Sequence, residues 1–186
     1  MGHHLEITEA YRTYTPPEWF RPTVERILGG IPPKYLAGVR TLVLTDAGGM
    51  NHNRRRAKTL SRRKKVRIVE TLGLYHRQWK GEPAWIELFA DNIVPYCPST
   101  WWQFTRDITV GRTLAHEVGH HIHATQAPEY REREDVAEKW EGRLLFPFLM
   151  RRYWYFFPLV VAVIRCIQWV KRLLRRKLKK PHKFPT

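Results

Sequence analysis

A chain of 186 residues is long enough for one domain with a proper core plus appendages, and its formal net charge of +16 points to anionic partners. The two cysteines, Cys97 and Cys166, are too few and too far apart to suggest a disulfide framework. The amino terminus, MGHHLEITEAYR, lacks the apolar run of a signal peptide, so a cytoplasmic, reducing location is the expectation.

In chain order, EWFRPTVERILGG (Glu18 to Gly30) is predicted as an amphipathic helix that follows a Pro-Pro start and stops at a glycine pair. VRTLVLTDAGG reads as a strand over Val39 to Thr45 closed by a turn. RRRAKTLSRRKK, Arg54 to Lys65, holds eight basic residues and no acid, and reads as a long exposed loop. It is either a solvated insert or a contact for nucleic acid or another polyanion. LGLYHRQW and AWIELFADNIV flank the K-G-E-P turn at Lys80 to Pro83 and are predicted to form a hairpin.

TLAHEVGHHIHAT, Thr113 to Thr125, follows without a proline and reads as a helix. His116 and His120 are four apart and project from one face, a turn from each other. Glu117 lies about 100° round the helix from His116, within reach of a water between them and a metal. This H-E-x-x-H spacing suits two imidazoles on zinc with the glutamate as general base; the competing reading is an ordinary helix with solvated histidines. His121 and His123 point off the ligand face and are expected to face solvent or to support the site indirectly.

A catalytic zinc needs a third protein ligand. YREREDVAEKWEGRLLFPFLM, Tyr130 to Met150, is predicted as a second helix in which Val136, Trp140, Leu144 and Phe148 recur every fourth residue, with Ala137 and Leu145 widening the stripe. Glu134 and Glu138 stand a turn apart on one edge of it, and antiparallel packing would present an acid to the histidine pair. An acid-rich helix start complementing the helix dipole would by itself explain Glu132, Glu134 and Asp135, but not why acids follow the histidine pair at this distance.

HEVGHH followed by EDVAEKWEGRLLFP resembles the gluzincin zinc peptidases, above all the minigluzincins and the ImmA/IrrE-like metallopeptidases. Glu134, Ala137, Trp140, Leu144, Leu145 and Pro147 match that family's second-helix pattern in place. Glu138 stands where the family usually has Asn or Asp, and Glu141 where it usually has Ala. The resemblance implies that Glu134 is the third zinc ligand and Glu138 a partner for a ligand histidine. It implies an α+β, zincin-like domain over residues 1–150, with a small twisted sheet beside the metal helix. Ala84 to Val94 would be the edge strand to which a peptide substrate adds by backbone hydrogen bonds.

The remaining segment, 151–186, is apolar and then basic. YWYFFPLVVAVIRCIQWV carries Arg165 and Gln168, and nine basic residues fall between Arg165 and Lys183. Arg165, Gln168, Arg172, Arg175 and Lys179 share one helical face, which predicts a basic amphipathic helix at an anionic membrane surface. A core-packing helix and a short membrane span are the other two readings.

The expected activity is zinc-dependent endopeptidase chemistry, with His116, His120 and Glu134 on the metal and Glu117 as base. Tyr130 and Tyr153 are the candidate oxyanion stabilisers. The alternatives are a regulatory zincin-like protein that holds nucleic acid or a repressor, and a membrane-surface protein that displays the basic helix.

Overall fold

A computed structural model describes residues 5–61, 64–97, 102–126, 134–156, 158, 165 and 169. The chain divides into two compact units, residues 1–149 and 150–186, and the sheet, the core and the cleft belong to the first.

The first unit is mixed α and β. Its elements are β1 (Glu6–Ala10), α1 (Phe20–Leu28), β2 (Val39–Thr45), α2 (His52–Arg56), β3 (Lys58–Ser61) and β4 (Lys64–Arg67). There follow β5 (Gly73–His76), β6 (Ala84–Phe89), the short α3 (Ala90–Ile93), α4 (Gln103–Gln126) and α5 (Glu134–Tyr153), of which the part up to residue 149 belongs to this unit. Four strands form one sheet in the order β1-β2-β6-β5, and β3 and β4 pair separately as a hairpin. β1, β2 and β6 run parallel, while β5 is antiparallel to β6.

Alternation along the strands explains how the helices dock. Leu42 and Leu44 of β2 and Ile86 and Leu88 of β6 share one face and are fully buried. Against that face pack Phe20, Val24 and Ile27 of α1 with Val110, Leu114, Val118 and Ile122 of α4. Each such side chain contributes about 1.5–3 kcal/mol by leaving water. A buried ion pair then fixes the two helices: Arg26 of α1 donates to Asp107 of α4 at 2.6 Å, and Asp107 has no exposed surface.

On the opposite face, Glu87 of β6 is buried, accepts a hydrogen bond from Arg54 of α2 at 2.9 Å and sits 2.8 Å from His76 of β5. Burial alone would raise the Glu87 carboxyl; His76 and Arg54 outweigh it and hold the group below its ordinary range. The His76 ring in turn stacks on Trp85 at 3.6 Å.

Several sequence expectations need correction. Ala84 to Val94 is not an edge strand: β6 ends at Phe89 and lies between β2 and β5, and the edges are β1 and β5. The basic stretch 54–65 is not a plain loop, since α2 ends within it and β3 and β4 form a hairpin there. Arg54 is not a free cation but the partner of Glu87. The hairpin of β5 and β6 is present as expected, its turn closed by Lys80 and Gly81 at φ 47° and 89°.

In the second unit α5 ends at Tyr153, and a 3₁₀ turn over Trp154–Phe156 leaves Trp154 and Tyr155 exposed. The basic helical face expected after Arg165 falls almost wholly outside the described residues. Among the described residues no helix is long and apolar enough to cross a membrane.

Candidate metal centre

α4 and α5 cross at a point where only glycine fits. A Cβ on Gly119 would lie 2.9 Å from both Cα and O of Ala137 and 3.1 Å from Cβ of Trp140. Farther along, Gly111 faces Leu145, so the helices run antiparallel. The close approach brings Glu134, one turn before Ala137, onto the histidines of α4.

The distances are short. His116 Nε2 and His120 Nε2 are 3.2 Å apart. The Glu134 carboxylate lies 3.3 Å from His116 Nε2 through Oε2 and 3.9 Å from His120 Nε2 through Oε1. Ligand atoms of these three residues fall within 4.8 Å of one another. Glu134 Oε2 is buried and makes no hydrogen bond among the described residues, as does His120 Nδ1. Two imidazole nitrogens and a carboxylate with a buried oxygen that makes no hydrogen bond could together hold a metal ion.

Their electrostatics are divided. Burial lowers His120 to a pKa of about 4, helped by the neighbouring His116 and His123. Burial would lower His116 too, but Glu141, Glu117 and Glu134 outweigh it and raise the ring above its ordinary value.

Glu117 is 7% exposed and lines the same cleft as the histidines. It packs against the start of β5, where a Cβ on Gly73 would fall 2.9 Å from the Glu117 Cγ. The cleft, of about 570 Å³, is walled by α4, by Thr71 to Tyr75 around β5, and by Thr59 and Val66 of the basic hairpin. The edge strand that borders it is thus β5.

Glu138 is exposed, and Glu141 Oε2 lies 3.7 Å from His116 Nδ1. Glu141 also accepts from Arg112 Nε at 2.8 Å. The sequence signal for it was the acid at a position where the resembled family carries Ala. Tyr130 lies outside the described residues, and Tyr153 belongs to the second unit while the cleft is built from the first.

His121 and His123 do not face solvent: they are 2% and 8% exposed. His121 Nε2 lies 2.8 Å from the Ala37 carbonyl, which can only accept, so Nε2 carries the proton. Nδ1, 3.2 Å from the Tyr75 hydroxyl, is then the acceptor. Burial lowers the His121 pKa, in keeping with this neutral ring. His121 therefore ties α4 to the cleft strand β5 and to the turn before β2. His123 Nδ1 has no hydrogen-bond partner among the described residues.

No family model matches this chain, and no curated protein or solved structure matches it either.

Proposed function

We propose that the protein is a zinc-dependent metallopeptidase of gluzincin type. The observation that carries this reading is the convergence of His116, His120 and Glu134 within 4.8 Å on the cleft wall that also holds Glu117. The H-E-x-x-H spacing and the second-helix residues that resemble the gluzincin pattern support it from the sequence side.

His116, His120 and Glu134 would hold the ion, which supplies Lewis acidity and a lowered pKa for water. The chain's own residues do the rest. Glu117 takes the proton of the attacking water and returns it to the leaving amine. Glu141, beside His116 Nδ1, orients that imidazole so that Nε2 faces the other ligands. The outer edge of β5 offers main-chain groups to an extended peptide and lays it along the cleft.

Three ligands from among the described residues would leave a coordination position for water or substrate, which a closed structural zinc site lacks. This favours catalysis over a purely regulatory role. The decisive experiment compares wild type with Glu117→Gln on a proteome-derived peptide library. Both are expected to bind one zinc per chain, and only the wild type to cleave. Cleavage by Glu117→Gln at the wild-type rate would remove the general-base role.

A further inference from the structure

We infer that Arg112 is the binding point for a carboxylate of the substrate, one helical turn from His116. The inference rests on the hydrolytic reading above and gives it a substrate class: peptides bearing an acidic group close to the scissile bond.

Position comes first. Arg112 precedes His116 by four residues on α4, lines the same cleft and lies about 6 Å from it along the helix axis. Its guanidinium is pre-set. Nε donates to Glu141 at 2.8 Å, and this is the ion pair the side chain makes among the described residues. The side chain is 58% exposed, so Nη1 and Nη2 are left as a two-pronged donor. An arginine held through Nε and offering both Nη groups matches the two oxygens of a second carboxylate.

The charge distribution selects this place. Among the described residues lining the cleft are four acids, Glu70, Glu117, Glu134 and Glu141, and Arg112 is the one Lys or Arg. An anionic group entering the cleft is repelled over most of its wall and attracted here or at the metal. The nearby hydroxyls do not compete as donors, because Thr109 bonds back to the Thr105 carbonyl at 3.0 Å and Thr113 to that of Thr109 at 3.3 Å. Glu141 is also shared with His116, so the arginine has no exclusive claim on that carboxylate.

An extended peptide advances about 3.3 Å per residue. For a peptide that runs along α4, a span of about 6 Å would put the recognised carboxylate about two residues from the bond over the metal. It comes from an Asp or Glu side chain or from a free carboxyl terminus.

The test uses the zinc-loaded Glu117→Gln protein, which binds without cleaving, and isothermal titration with fixed probes. These are acetyl-tetra-alanine as free acid and as amide, and acetyl-Ala-Ala-Glu-Ala amide with its Gln counterpart. The acid is expected to bind about tenfold or more tighter than its neutral partner in at least one pair, the size of a lost charge-assisted contact. That pair identifies the source of the carboxylate. Adding Arg112→Gln is expected to cut the preference below about threefold, and Arg112→Lys to keep part of it. Equal binding of both members in both pairs overturns the inference. So does a preference undiminished by Arg112→Gln, because the anion would then sit on the zinc. If wild type cleaves no library peptide while the Arg112-dependent preference is present, the binding point stands and the peptidase reading falls.

Discussion

Replacing Gly119 by Ala probes how Glu134 is placed. The new Cβ would stand 2.9 Å from the Ala137 Cα and O and 3.1 Å from the Trp140 Cβ. Ordinary carbon contacts are about 3.5–4.0 Å, so α5 must retreat by about 0.5–1 Å. Two of the three atoms met are backbone, which cannot swing aside. Metal–ligand distances tolerate about 0.2 Å, and Glu134 travels with Ala137, so zinc affinity is expected to fall about tenfold to a hundredfold. Overpacking costs about 1–3 kcal/mol, against a gain of about 1 kcal/mol from helix propensity, leaving the metal-free fold destabilised by up to about 2 kcal/mol. Gly142→Ala in α5 is the control, since nothing lies within 4 Å of its Cβ; it should be neutral or stabilising and leave zinc untouched. Gly111→Ala would press on the movable end of Leu145 and otherwise make ordinary contacts with Ile27, so it should cost less. Chelator competition gives the affinity and denaturant unfolding of the metal-free protein the stability. Wild-type affinity and stability in Gly119→Ala would refute the argument that this crossing positions Glu134.

Glu141→Ala should weaken zinc about tenfold to a hundredfold and Glu138→Ala hardly at all, measured by the same competition; the reverse order would return the supporting role to Glu138. Glu87→Gln should destabilise the fold by about 1–3 kcal/mol at pH 7, because Arg54 and His76 lose a charged partner. The folded-state pKa of Glu87 lies below its ordinary value of 4.5, so that stabilisation is present above about pH 4.5 and is lost as pH falls toward the folded value. Denaturation curves of the two proteins should therefore converge in acid, and a constant gap would contradict the linkage. His121→Leu should cost about 1–3 kcal/mol by leaving the Ala37 carbonyl unpaired, with zinc stoichiometry unchanged at one per chain; loss of zinc would give His121 a role in the metal site.

What the sequence made legible was local. The helical period alone places His116 and His120 on one face, and α4 carries them so. The choice between Glu138 and Glu141 depends on which stripe of α5 meets α4, a fact of crossing geometry. The every-fourth-residue pattern through Val136, Trp140, Leu144 and Phe148, widened by Ala137 and Leu145, contains the buried Ala137, Leu144 and Leu145, but it is too broad to say which acid on its flank faces α4. The strand β6 was read from its composition, yet its central position is a long-range pairing, and β5 became the edge by turning back antiparallel. β1 escaped notice because EITEA is short and half polar, its order coming from the parallel ladder with β2. The hairpin of β3 and β4 was hidden by its charge, since lysines and arginines suppress the alternation by which a strand is recognised.

Four histidines within eight residues make α4 ambiguous in rotation: a turn of about 100° about its axis would offer the cleft a different set of imidazoles. Two features remove that freedom from different sides. Gly119 admits α5 along one line of the helix, and His121 is held by Ala37 and Tyr75 along another, about 160° away. Together they index the helix like a key in a slot, so the phase that exposes His116 and His120 is set by residues outside the ligand set. A redesign of the ligands could therefore be made without losing alignment, whereas a change at either index would move every ligand at once.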